Sequence, residues 1–166
     1  MAAIHRCANA RWTNCTAATY WRCLQSLGAA PASYTALVDG RHGKFLVNVN
    51  DMYIGASLYT YGEWSEEEVL VMSGGLSSSS LVIDVGANIG AIAVPLARRL
   101  PHGTVICYEP QRIVSQLLAA NVQLNGLDNV QVRVAAAAIP GQERTVPIPE
   151  VNPHNVHNFG GFSVNQ

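Results

Sequence analysis

Lysine is almost missing from this chain, where Lys44 is the single one in 166 residues. Ten basic residues stand against eleven acidic ones, for a formal charge of −1. Binding to nucleic acid or an anionic membrane relies on clustered Lys and Arg that neutralise phosphates, so this balance gives no electrostatic reason to expect either partner. Cysteine is scarce too. Cys7, Cys15, Cys23 and Cys107 form no CxxC pair, and no His stands at zinc-ligand spacing, which argues against a metal site. The first three recur every eight residues, loosely along one side of a helix, and all four read as buried free thiols rather than a disulfide framework. No apolar run reaches the roughly 18 residues needed to span a bilayer, and the N-terminus lacks the continuous apolar segment of a secretory signal. A soluble, cytoplasmic protein is expected. Acidic residues are absent until Asp39, while Arg6, Arg11 and Arg22 precede it, a bias shared with organelle transit peptides. Residues 1–34 are read instead as a weakly structured extension.

What is present is apolar and globular. Hydrophobic residues make up 49% and charged ones 13%, which excludes a disordered chain. The length suits one domain that buries about 68–70% of its unfolded surface. Thr35–Val38 and Lys44–Val47 predict a hairpin around the glycines of Asp39-Gly40-Arg41-His42-Gly43. Ser65 and Glu68 predict a capping box opening a helix that runs to Met72. Gly74-Gly75-Leu76 and the four serines after it mark a boundary between an appendage, 35–76, and the main sheet, 77–166.

From Leu81 the pattern becomes short apolar runs alternating with helical segments, the signature of parallel β–α–β units. Strands are predicted at Leu81–Val85, Thr104–Tyr108 and Asn129–Val134, with helices at Ile89–Leu100 and Gln111–Asn125. The second helix would bury Ile113, Leu117, Ala120 and Leu124 and stop at Gly126. Thr145–Ile148 is a further candidate strand, interrupted by prolines.

The chemistry concentrates in Asp84-Val85-Gly86-Ala87-Asn88-Ile89-Gly90, where a strand ends and a helix begins. Gly86 permits a tight turn, Gly90 lets the helix approach, and the loop between them is expected to turn backbone N–H groups toward an adenosine-type ligand. A dinucleotide site uses G-x-G-x-x-G, whose middle glycine lets a pyrophosphate settle on the helix N-terminus; here that position is Asn88. There is no P-loop motif either. Asp84 would repel a phosphate but suits a ligand carrying ammonium and sulfonium charges, which S-adenosylmethionine does. Glu109 follows the second strand, 25 positions after Asp84, where a carboxylate can accept hydrogen bonds from ribose hydroxyls; Pro110 then ends the strand.

Val82–Gly90, Tyr108-Glu109-Pro110 and Asn121–Gly126 together resemble the FkbM-type family of S-adenosylmethionine-dependent methyltransferases. Ile54-Gly55, Tyr61-Gly62-Glu63-Trp64 and Asn158-Phe159-Gly160-Gly161 also look like segments of that family, so the resemblance spans about Lys44 to Ser163. It implies an α/β, Rossmann-like class I fold, here a partial parallel sheet with flanking helices and the hairpin-helix appendage. It implies that Asp84, Gly86, Ala87, Asn88 and Gly90 surround the methionine part of the cofactor, that Glu109 and Pro110 hold the ribose end, and that Tyr61 and Glu63 close over it. Asn125 reads as a helix cap.

The chain also departs from the family. Val134-Ala135-Ala136-Ala137-Ala138 stands where an acidic residue usually lies near the adenine, and the later strands with their Asp-x-Glu-Gly segment do not follow before Gln166. The expected activity is O-methyl transfer to a hydroxyl of a small molecule or sugar, by in-line displacement in a near-attack geometry. No general base is assigned. His154 and His157 are the late candidates, and both read as solvated. The alternatives are a cofactor-binding module without independent activity, paired with a second copy through an exposed sheet edge, and a nicotinamide-binding fragment, which Asn88 disfavours.

Overall fold

A computed structural model describes residues 34–138, 141 and 147–161. The expected extension therefore lies outside the described residues except for Tyr34, as do Cys7, Cys15, Cys23 and the Thr145-Val146 half of the fourth candidate strand. Residues 147–150 carry no strand.

The hairpin forms as β1 (Thr35–Gly40) and β2 (Gly43–Asn48), antiparallel, with Gly40 opposite Gly43 and a turn of only Arg41 and His42. β2 buries Phe45 and Val47 by simple alternation. A helix that the sequence reading did not identify follows, α1 (Ile54–Tyr61). Its Gly, Ser, Thr and Tyr content is poor helix material. Asp51 compensates: its Oδ2 accepts the Gly55 N–H at 2.8 Å and its Oδ1 that of Tyr53 at 3.3 Å. Burial raises the Asp51 carboxyl, and the backbone N–H bonds pull it down. Gly55 has no room for a side chain, since a Cβ would stand 2.3 Å from the Asn48 carbonyl oxygen. Gly55→Ala is expected to destabilise the protein by about 2–4 kcal/mol, read as a lower denaturant midpoint at unchanged slope.

The next helix, α2 (Glu66–Gly74), lacks the expected capping box. Ser65 sits at φ 48°, a left-handed conformation in which its side chain makes no capping bond, and the helix is opened instead by the Ser65 carbonyl, which accepts the Glu68 N–H at 2.9 Å. Glu66 is taken by the hairpin turn, with Oε2 2.6 Å from His42 Nε2.

The parallel sheet runs in the order β3 (Leu81–Val85), β4 (Thr104–Tyr108), β5 (Val130–Arg133), with Asp84 opposite Cys107. Between the strands lie α3 (Ala93–Arg98) and α4 (Arg112–Leu124). α3 is shorter than expected because of Pro95. In a helix started at Ile89 its missing N–H would break an internal bond, whereas in one started at Ala93 it falls in the first turn, where no donor is required. One sheet face packs Val105 and Cys107 against Ala93, Ala97, Leu100, Leu118 and Val122. The other leaves Leu81, Ile83 and Val85 about 60% exposed, and among the described residues β3 pairs only with β4.

α4 joins the two halves. Its buried face is Val114, Leu117, Leu118, Asn121 and Val122, turned away from the expected stripe; Leu124 is largely exposed. The shift follows from having partners on two sides, the sheet at Leu118 and Val122 and the hairpin at Val114 and Leu117. Phe45, Val47, Val49 and Leu58 thus share one core with Ile89, Val94, Val114 and Phe159, so the appendage does not pack independently of the sheet.

Two asparagines complete the junction. Asn121 accepts the Leu46 N–H at 2.6 Å and donates to the Leu46 carbonyl at 3.1 Å; Asn125 does the same for Lys44, at 3.0 and 2.7 Å. Four helical residues rise about 6 Å and two strand residues nearly 7 Å, so side-chain amides one turn apart can serve as the next strand for the outer edge of β2. Asn125 also donates to the Asn121 carbonyl at 2.8 Å, the cap expected of it.

Candidate functional site

The loop after β3 holds three left-handed residues in alternation: Gly86 at φ 80°, Asn88 at 50° and Gly90 at 87°. Asparagine is among the few residues with a side chain that tolerate this conformation, so Asn88 follows the path a glycine would take. Its Oδ1 accepts the Ile89 N–H at 2.8 Å. A Cβ on Gly90 would lie 2.8 Å from Leu118 Cδ1, which is the close approach expected there, although to α4 rather than to the sheet.

The loop corrects one expectation. Its N–H groups are not free for a ligand: Gly86 and Ala87 donate to the Tyr108 carbonyl at 2.9 and 3.1 Å, Asn88 to Glu109 Oε2 at 3.0 Å, and Gly90 to the Ala87 carbonyl at 2.9 Å. An amide cradle for phosphate is therefore absent.

What the loop offers instead is negative charge. Asp84 is partly buried at the end of β3, and its Oδ2 is shut away from solvent with no hydrogen-bond partner. Burial alone raises its carboxyl above the usual range. Glu109 is only 4% exposed and accepts the Gln111 N–H on Oε1 at 2.9 Å as well as that of Asn88 on Oε2. Pro110, which has no N–H, lets this carboxylate reach one residue further. Burial is again the main influence raising Glu109; the two N–H donors lower it, and the nearby Asp84 charge adds to the rise. Beneath them the Cys107 thiol is pushed up to about 12 by burial and by Asp84, which makes it an inert core group.

The other predicted residues have partners of their own. Ile54, at the start of α1, comes near Gly160, which in turn approaches the Asn88 amide. Tyr61 is seven residues further along that helix, about 10 Å at the helical rise, and is 60% exposed. Glu63 forms an ion pair with Arg41 at 2.6 Å. His154 packs its ring edge-on against Tyr34, and His157 is tied by backbone bonds to Asn50 and Met52, so both histidines hold residues 153–158 against the hairpin exit. Val134–Ala138 is exposed and offers no polar side chain. Among the described residues there is no group of three or more His, Cys, Asp or Glu side chains placed to hold a metal, and no helix long and apolar enough to cross a membrane. Gln111, which the sequence reading used only to start a helix, bonds both to Glu109 and, through Nε2, to the Phe159 carbonyl at 2.6 Å.

No family model matches the chain. It is 34% identical over 87 residues to the AMB antimetabolite synthetase AmbE of Pseudomonas aeruginosa, a match covering 52% of this chain and 4% of that one. It is 27% identical over 86 residues to the methyltransferase sdnD of Sordaria araneosa, covering 43% of this chain and 33% of that one. It spans a third or less of these curated relatives. Among solved structures it resembles M. jannaschii TYW2 in complex with AdoMet, with a TM-score of 0.50 and 24% identity over 63% of this chain and 45% of that one. The fold is α/β and Rossmann-like, of the class I methyltransferase type.

Proposed function

We propose that this chain binds S-adenosylmethionine between Asp84 and Glu109 and forms the cofactor-binding part of a methyltransferase acting on a hydroxyl of a small molecule or sugar. The observation that carries the reading is the closeness of two carboxylates, Glu109 buried and Asp84 partly buried with one enclosed and unpartnered oxygen, beside a loop that has spent its own N–H groups. Such a pocket repels anions and is relieved by a cation. The name of sdnD and the AdoMet in the M. jannaschii structure support the reading, as does the resemblance of Val82–Gly90 and Tyr108-Glu109-Pro110 to FkbM-type segments.

S-adenosylmethionine, when bound, supplies an electrophilic methyl on a sulfonium. Asp84 attracts the cationic end, Gly86 leaves open space beside it, and Glu109 holds the ribose with the lone pairs its backbone partners leave over. Rate then comes from orientation. Calorimetric titration with S-adenosylhomocysteine and with NAD tests the reading, and preferential NAD binding overturns it.

The raised carboxyl of Asp84 gives a second check. Without ligand, burial favours its neutral form relative to the unfolded chain, so its contribution to stability is present at acid pH and lost as pH rises through the raised value. A bound cation needs the ionised form. Affinity for S-adenosylmethionine is therefore expected to rise with pH until that value is passed and then level off, with proton release visible as a buffer-dependent binding enthalpy.

A second reading, a binding module completed by another copy, is favoured by the exposed Leu81, Ile83 and Val85 row beside the open edge of β3. Size measurement in solution tests it, and a monomer that binds cofactor counts against it. Labelled-methyl transfer to a panel of hydroxylated acceptors separates the two readings.

A further inference from the structure

Immediately after Glu109 the chain turns through Pro110 and Gln111 into α4, and the first turn of that helix faces residues 148–151 and Phe159 across a small open cleft. Its walls are mostly apolar, with Pro110, Ile113, Ile148 and Pro149 among them, while Arg112 and Glu150 form an exposed ion pair at 3.2 Å. Gln111 is the one uncharged polar side chain lining it. The bond from its Nε2 to the Phe159 carbonyl fixes the amide orientation, and this leaves Oε1 enclosed and accepting no hydrogen bond. A buried carbonyl without a donor is a cost that a bound N–H group removes.

We propose, resting on the cofactor reading above, that this cleft takes the nucleobase and that Gln111 Oε1 accepts the exocyclic amine of adenine, which makes Gln111 the base-selecting residue. A base joined to a ribose on Glu109 must lie close beside that residue, and Pro110, its neighbour in sequence, forms part of the cleft wall. Proline rings and branched aliphatic side chains suit a flat apolar ring. Val134–Ala138, directly after β5, present only valine and alanine side chains, and among the described residues the unpaired acceptor nearest Glu109 in sequence is that of Gln111. An acceptor there also discriminates. Adenine presents an N–H donor at its six position, whereas a 6-oxo base would set carbonyl against carbonyl.

The test compares S-adenosylhomocysteine with S-inosylhomocysteine by calorimetry, on the wild type, Gln111→Met and Gln111→Glu, with thermal unfolding as the check that each variant is folded. The wild type is expected to bind the adenosyl ligand at least about 10-fold more tightly. Gln111→Met, which removes the acceptor, brings the two ligands to within about 3-fold by weakening the adenosyl one, and Gln111→Glu, which keeps an acceptor but sets its other oxygen against the Phe159 carbonyl, retains the preference at lower overall affinity. If the wild type binds both ligands equally, or if Gln111→Met keeps the full preference, the assignment of Gln111 is overturned while the cofactor reading stands. Failure of the wild type to bind either ligand overturns both.

Discussion

Glu109→Ala is expected to lower the affinity for S-adenosylhomocysteine by about 100-fold or more, a larger loss than one hydrogen bond accounts for. Two effects combine. The ribose loses its acceptor, and the N–H groups of Asn88 and Gln111 lose theirs, so the loop is no longer held at the end of β4. Stability should fall less than these two bonds suggest, because the same substitution removes a buried charge and its repulsion from Asp84. Glu109→Gln separates the contributions. One carbonyl oxygen still serves one N–H, while the new amide group faces the other as donor against donor, so affinity should lie between wild type and Glu109→Ala. Glu63→Ala is the control. Its carboxylate is bound to Arg41 on the hairpin, and its loss should change affinity less than about 2-fold. Calorimetry with thermal unfolding reads all three, and an unchanged affinity in Glu109→Ala would remove Glu109 from the site.

The parts of this fold legible in the sequence are those where local and tertiary demands agree. β3 and β4 lie where their apolar runs place them, since short runs rich in β-branched residues favour the extended backbone even where, as in β3, one face stays exposed. The tight turn at Gly86 and the close approach at Gly90 are likewise legible, whereas the left-handed backbone of Asn88 between them is not. What stayed hidden depends on partners distant in the chain. α1 has weak propensity and forms because Asp51 holds its first turn; the Asp before the apolar Met-Tyr-Ile run was the available signal. The ion pair of Glu63 with Arg41 on the hairpin turn, across 22 positions, has no signature in the sequence. Gln111 gave no signal at all: its role comes from the Phe159 carbonyl, 48 residues later.

Asn121 is the position where the fold and the site depend on one side chain. It is fully buried on a mostly apolar helix face, which no hydrophobic pattern anticipates. Three backbone groups rely on it: the N–H and carbonyl of Leu46, and the carbonyl of Ile89, to which it donates at 2.8 Å. Asn121→Leu keeps the volume and removes all three bonds, so the outer edge of β2 and the end of the glycine loop are left buried and unpaired. The expected cost is about 3–5 kcal/mol, a large fraction of the stability of a domain this size. Asn121→Asp is no rescue, since it turns an oxygen against both carbonyls and buries a charge. Asn125→Ala should cost less, about 1–2 kcal/mol, because its bonds are more exposed and water can replace them. The two losses should not add, as both asparagines brace the same strand. Because Ile89 follows Asn88 directly, Asn121→Leu should also weaken cofactor binding even where the protein remains folded, and saturating S-adenosylhomocysteine should restore part of the lost stability. Denaturant unfolding with and without ligand measures both effects, and a wild-type midpoint in Asn121→Leu would show that the hairpin is held to the sheet by its apolar core alone.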